Sequence, residues 1–137
     1  MNDCIFCKII AGEVPAEKVY ENETVYAMLD ISPNSKGHTL VMPKKHIRNI
    51  LSMEDADCSD LFVHAKKIAV AVKEGLVADG INIAMNNEKA AGQIVFHAHI
   101  HIIPRYVGIN EFGNQKKYTY AQGETEEIVH LIAAKLN

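Results

Sequence analysis

The chain has 137 residues and a formal net charge of −3, the size of one domain able to bury about two thirds of its unfolded surface. At 48% hydrophobic and 23% charged it reads as globular, not fibrous or disordered. Mild acidity and scattered lysines exclude a nucleic acid polymer as the expected partner, although a small anionic ligand stays open. No apolar run approaches the roughly 20 residues of a membrane helix and the start Met1-Asn2-Asp3 has no secretory pattern, so no membrane partner and a cytoplasmic location are expected.

A single domain over residues 1–137 is expected, without repeats or linkers. Asp3 is placed to cap a short helix from Cys4 to Ile10, with Gly12 just past its end. Lys18 to Tyr20 and Thr24 to Asp30 read as a strand pair turned at Glu21-Asn22-Glu23. The turn-rich Ile31-Ser32-Pro33-Asn34-Ser35-Lys36-Gly37 leads to a strand His38 to Met42, ended by Pro43. Ser52 followed by Asp55 suggests a helix start. Leu61, Ala65, Ile68, Ala69, Val72 and Leu76 then recur at helical spacing in the one long helix, as far as Asp79-Gly80. Two further strands, Gly80 to Asn86 and Ile94 to Ile103, flank a polar loop with Gly92, and Ile128, Leu131, Ile132 and Leu136 mark a terminal helix from Glu124 to Leu136. Five antiparallel strands beside one principal helix make an α+β domain.

Within the last strand, Phe96 to Pro104 sets His97, His99 and His101 at alternate positions. A period of two turns all three imidazoles to one face and leaves Ala98, Ile100 and Ile102 on the other. Pro104 is expected to close the run, having no N–H for a ladder. Three readings compete for the row: ordinary surface or satisfied core histidines; a zinc hydrolase, in which two histidines at i and i+2 share a metal with an open water position; or nucleophilic attack by one neutral imidazole on phosphorus while its neighbours handle protons and charge. The geometry of the row alone leaves these open.

Three cysteines, an odd number, argue against a disulfide framework. Cys4-x-x-Cys7 has the spacing of half a structural zinc site and lacks the preceding strand of a redox motif. Cys58 has no partner in sequence and is assigned to helix packing.

The run His97-Ala98-His99-Ile100-His101-Ile102-Ile103 resembles the signature of the histidine triad (HIT) superfamily. Ile5-Phe6-x-Lys8-Ile9, Asp30-Ile31-Ser32-Pro33, His38 through Pro43-Lys44-Lys45-His46-Ile47, and Asn86 through Gly92-Gln93 extend that resemblance to the Hint-like branch, from Cys4 to about Tyr106. From Val107 onward no motif matches.

The resemblance implies a HIT-like fold and a nucleotide-binding hydrolase or nucleotidyl transferase. Such an enzyme cleaves at the α-phosphate of purine nucleotide derivatives through a nucleotidyl-histidine. His99 would be the nucleophile, His101 would serve the scissile phosphate and leaving group, and His38 would support them. By the same resemblance Asp30 would accept the ribose hydroxyls, Ile5, Phe6, Ile9, Met28 and Ile31 would surround the base, and Asn86 with the backbone of Gly92 and Gln93 would face the phosphate. Ile94 departs from the Ser or Thr of many relatives, so any phosphate contact there would come from the main chain. Zinc-containing bacterial relatives imply a structural zinc on Cys4, Cys7, His46 and His97, and that closed coordination sphere disfavours the open-zinc hydrolase. A homodimer is also implied. Two alternatives stand beside this reading: a dinucleoside polyphosphate hydrolase, and a nucleotide-binding regulatory or partner-binding module with weak turnover.

Overall fold

Apolar alternation in the sequence becomes one five-stranded antiparallel sheet in the computed structural model, which describes residues 3–114 and 116–136. The strands are β1 (Lys18–Glu21), β2 (Val25–Leu29), β3 (Thr39–Pro43), β4 (Gly80–Ala84) and β5 (Ile100–Arg105), ordered β1-β2-β3-β5-β4. The helices are α1 (Ile5–Ile10), α2 (Asp55–Gly75) and α3 (Glu124–Ala133). This is the expected α+β architecture. No helix among the described residues is long and apolar enough to cross a membrane.

The period of two divides the sheet into two buried faces. Val25, Ala27, Leu29, Val41, Ile100 and Ile102 pack with Leu61, Ala65, Ile68 and Val72 of α2 and with Ile128 and Ile132 of α3. Tyr26, Met28, Leu40 and Met42 instead meet Phe6 of α1, with Ile9 and Ile10 beside it. His101 lies opposite Leu40 and on the far side of the chain from Ile100 and Ile102, so it belongs to the α1 face. Of the apolar residues that mark the terminal helix, Ile128 and Ile132 are buried while Leu131 is 42% exposed.

Several boundaries differ from expectation, each for a local reason. Cys4, not Asp3, caps α1, its sulfur accepting the Cys7 N–H at 3.3 Å. At the other end Gly12 has φ +81°, Gly12 N–H donates to the Ile9 carbonyl and Glu13 N–H to that of Lys8. That pair of bonds is a Schellman closure. Ser52 does not start α2. It ends a 3₁₀ turn, Ile50–Ser52, capped by Asn49, and α2 begins at Asp55 behind an extended Glu54.

The histidine run is only partly strand. β5 begins at Ile100, because the ladder with β3 ends at the Val41–Ile100 pair and the ladder with β4 at Ala84–His101. Ala98 N–H donates instead to the Ile47 carbonyl at 2.7 Å. Pro104 does not end the strand either. The ladder with β3 stops at Ile102, so Pro104 lies where β5 is bordered by β4 alone and a missing donor is tolerated.

Candidate active site and metal centre

Two clusters meet at the start of β5, and His97 belongs to one while its backbone serves the other. The first joins α1, the loop after β3 and the approach to β5. Cys4 Sγ lies 3.4 Å and Cys7 Sγ 3.6 Å from His97 Nδ1, and Cys7 Sγ lies 3.3 Å from His46 Nδ1. All four donor atoms fall within 4.8 Å of one another. A tetrahedral zinc with bonds of about 2.0 to 2.3 Å sets its ligand atoms roughly 3.4 to 3.8 Å apart, so this donor set fits the ion in chemistry and in spacing.

The surroundings favour metal ligation. His97 is fully buried, and its Nε2–H donates to the Pro43 carbonyl at 2.8 Å. Nδ1 is therefore the lone-pair nitrogen, held toward the sulfurs by an outer-shell bond. Burial, opposed in part by that bond, lowers the His97 pKa to about 4, which keeps the ring neutral. Burial and the adjacent Cys4 thiol push the Cys7 thiol up to about 11. Capture of a cation there would release thiol protons. Four protein donors close a tetrahedron, so the ion would tie α1 to the strands and leave no position for a reacting water.

The second cluster holds His38, His99, His101 and Asp30. His99 Nδ1–H donates to the His97 carbonyl at 2.7 Å, which leaves Nε2 as the nitrogen with a free lone pair. Phe6 packs edge-on against both rings, 5.1 Å from His99 and 5.9 Å from His97. Burial lowers the His99 pKa, although the bond to His97 resists it, so the ring is neutral at ordinary pH.

A chain of hydrogen bonds sets the tautomer of His101. The Asn34 backbone N–H, which can only donate, reaches His38 Nδ1 at 3.0 Å. His38 therefore carries its proton on Nε2 and donates to His101 Nδ1 at 2.9 Å. The proton of neutral His101 is then on Nε2, on the ring edge away from His38, and the His99 and His101 ring centroids are 5.1 Å apart. Burial holds His38 at about 4 and also lowers His101. Asp30 Oδ2 stands 3.5 Å from His38 Nε2, and Asp30 Oδ1 accepts the Ser32 N–H at 2.8 Å. The arrangement offers a neutral nucleophile beside an N–H donor, which suits attack at an electrophilic phosphorus.

The other expected ligand contacts are less gathered. Phe6, Met28 and Ile9 share one apolar cluster, whereas Ile5 is exposed and Ile31 is 96% exposed. The Gln93 side chain is occupied within the protein, donating to the Arg48 and Val95 carbonyls and accepting from Asn49 and Glu88 N–H. Gly92 and Gln93 N–H donate to the Lys89 and Glu88 carbonyls, and exposed Asn86 reaches the Gly92 carbonyl at 3.5 Å. No hydrogen bond among the described residues joins this loop to His99 or His101.

Sequence reasoning missed what holds that loop. Arg48 makes two 2.9 Å bonds to Glu88, Asn49 adds a third at 2.7 Å, and Glu88 sits at φ +79°. Arg48 and Asn49 follow His46, a candidate metal ligand, by two and three positions, the one signal that could have pointed to them. Asn34 was equally silent, since it is its backbone amide that meets His38.

Comparison with known proteins finds relatives over most of the chain. Residues 11–108 match the family model "HIT domain". The chain is 51% identical over 111 residues to Protein hit of Bacillus subtilis, covering 81% of this chain and 77% of that one. A HIT-like protein from Bartonella henselae, described as involved in cell-cycle regulation and crystallised with an unknown ligand, superposes with a TM-score of 0.87 at 41% identity, covering 99% of this chain and 98% of the other. A Zn-bound histidine triad family protein from Mycobacterium smegmatis gives a TM-score of 0.87 at 38% identity, with 98% and 94% covered. With the match spanning most of its length and the histidine run in place, the chain belongs to the bacterial-type HIT domain family, within a superfamily of nucleotide-binding hydrolases.

Proposed function

We propose that the protein cleaves purine nucleotide derivatives at the α-phosphate by way of a nucleotidyl group carried on His99. The observation that carries this reading is the 2.7 Å bond from His99 Nδ1–H to the His97 carbonyl, which directs the Nε2 lone pair outward beside the His101 N–H. His99 Nε2 forms a bond to phosphorus as the bond to the leaving group breaks. His101 Nε2–H stabilises the charge that develops on the departing atom. Water then displaces His99 and releases a nucleoside monophosphate. Phe6, Ile9 and Met28, with Ile5 and Ile31 at the rim, would receive the base, and Asp30 has acceptor capacity left for ribose hydroxyls. The Ile94 N–H, in an exposed residue and without a partner among the described residues, is the main-chain donor we assign to phosphate.

Zinc on Cys4, Cys7, His46 and His97 has a structural part in this reading, and a homodimer goes with it, since β4 leaves one sheet edge open and bears the exposed Ile83. Incubation with an adenosine phosphoramidate tests the function directly. Mass spectrometry of the quenched reaction should find a nucleotidyl group on the peptide containing His99. A peptide without it, or full turnover by His99→Asn, would overturn the reading. A nucleotide-binding module would instead bind adenosine monophosphate with no turnover in the wild-type protein.

A further inference from the structure

The segment after Tyr106 matches no motif, yet it folds back on the turn between β2 and β3 and encloses a cavity of about 410 Å³ with it. Tyr118 N–H donates to the Pro33 carbonyl at 2.8 Å, and Asn110 Nδ2 to the Asn34 carbonyl at 3.1 Å. None of Asp30, His38, His99 and His101 is among the walls. The cavity is a separate compartment of small-molecule size.

Its walls are mainly apolar, because the polar groups around it are spent on one another. Tyr106 and Tyr118 direct their hydroxyls to the Leu76 carbonyl at 3.2 Å and to Glu124 at 2.6 Å, so ring surface is what they have to offer. Ile109 adds an aliphatic surface. Asn110 Oδ1 accepts from Arg105, and Asn34 Oδ1 accepts from Lys117, whose ammonium also reaches the Ser32 carbonyl. Lys36 lies 4.0 Å from Glu124.

One polar group breaks this pattern. Ser35 is 1% exposed, and its hydroxyl has no hydrogen-bond partner among the described residues. A hydroxyl carries one donor and two acceptor positions, and buried groups of this kind are seldom left without a partner. The complement of such a cavity is a flat apolar body with one hydrogen-bonding group.

The turn that walls the cavity also holds the histidine relay. Asn34 N–H donates to His38 Nδ1 and the Ser35 carbonyl accepts the His38 N–H at 3.0 Å, while His38 Nε2 meets His101. A shift of Asn34 or Ser35 therefore reaches His101 through His38.

We propose that this cavity is a second binding site, distinct from the histidine cluster, for a small neutral aromatic molecule bearing one hydrogen-bonding group, and that its occupancy is felt at His38 and His101. The ring lies against Tyr106, Tyr118 and Ile109, and the hydroxyl of Ser35 meets the polar group. The inference does not rest on the assignment of His99 as nucleophile.

Calorimetry on the full chain with 2-naphthol as the probe tests it. Wild-type protein should bind about one molecule per chain. Ser35→Ala should weaken binding about tenfold by removing one hydrogen bond, and Ile109→Asp, at an exposed position, should weaken it by a similar factor by setting a charge in an apolar wall. Unchanged binding in both variants overturns the proposal. Excess adenosine monophosphate should leave the affinity for 2-naphthol within about twofold, whereas displacement would put the probe in the slot at Phe6 and overturn the proposal. A cavity already filled by a second copy of the chain would take up no probe, which overturns it as well. In a parallel titration, the ring-nitrogen resonances of His38 and His101 should shift with the calorimetric midpoint. Saturation of the probe with these resonances unmoved overturns the link to the relay.

Discussion

His97 and His99 are joined by a single 2.7 Å hydrogen bond, from the ring of one to the backbone carbonyl of the other. His97 thereby faces two ways. Its ring points Nδ1 at the thiols of Cys4 and Cys7, and its carbonyl sets the tautomer of His99. Geometry at the proposed nucleophile is thus bound to geometry at the candidate metal cluster.

Replacing His99 with asparagine should therefore separate chemistry from folding. The shorter amide fits the buried volume but has no ring nitrogen to attack phosphorus. Turnover of an adenosine phosphoramidate is expected to drop by about 10³-fold or more. The melting temperature should stay within about 3 °C of wild type. Activity within tenfold of wild type would exclude His99 as nucleophile, and a collapse in melting temperature would place its main role in packing.

The paired thiols make a different prediction. In Cys4→Ser/Cys7→Ser protein the bound zinc, measured by elemental analysis, should fall from about one ion per chain to near zero. The melting temperature should fall by about 10 °C, because a metal held by α1, the loop after β3 and the approach to β5 stabilises their mutual docking. Zinc retained at the wild-type level would sink the assignment. Treatment of wild-type protein with a strong chelator should reproduce the thermal shift without any substitution.

The clusters differ in how much of them the sequence made visible. The period of two correctly divided His101 from Ile100 and Ile102, and helical spacing found the buried face of α2 because each pattern is a direct image of which side meets the core. It could not show that the run enters the sheet only at Ile100, since that depends on where β3 and β4 end. His38 lies 63 residues before His101, and only strand pairing brings them within 2.9 Å. Main-chain contributions were hidden altogether. The Asn34 amide and the His97 carbonyl fix two tautomers, and every residue type but proline has both groups.

Gly37 offers a test of how the turn before β3 supports this network. Its φ is +91°, its N–H donates to the Tyr120 hydroxyl at 3.1 Å, and a Cβ there would collide with the side chain of Leu76. Alanine at this position meets both backbone strain and a clash, at an expected cost of about 2 to 4 kcal/mol in denaturant unfolding. Because His38 is the next residue, turnover should also fall in the variant at temperatures where it remains folded. A stability within about 0.5 kcal/mol of wild type would show that the turn relaxes freely.

Acid should expose the burial of His38. Its pKa is held at about 4 chiefly by burial, against the attraction of Asp30 and with the help of His101, Lys117 and Arg105. In the unfolded chain it would return to about 6.5. Between these values the unfolded chain binds a proton that the folded one refuses, so the contribution of neutral His38 is fully present above about pH 6.5 and is lost as the pH falls through about 4. His38→Asn removes this titration. Unfolding free energy measured by denaturant from pH 7 to pH 4 should fall more steeply for the wild-type protein than for His38→Asn, with the difference in slope approaching one proton per chain. Comparing the two cancels loss of zinc in acid, since both keep Cys4, Cys7, His46 and His97. Parallel curves would mean that His38 accepts a proton in the folded protein as readily as in the unfolded chain, and that its Nε2–H is not held for His101 by burial.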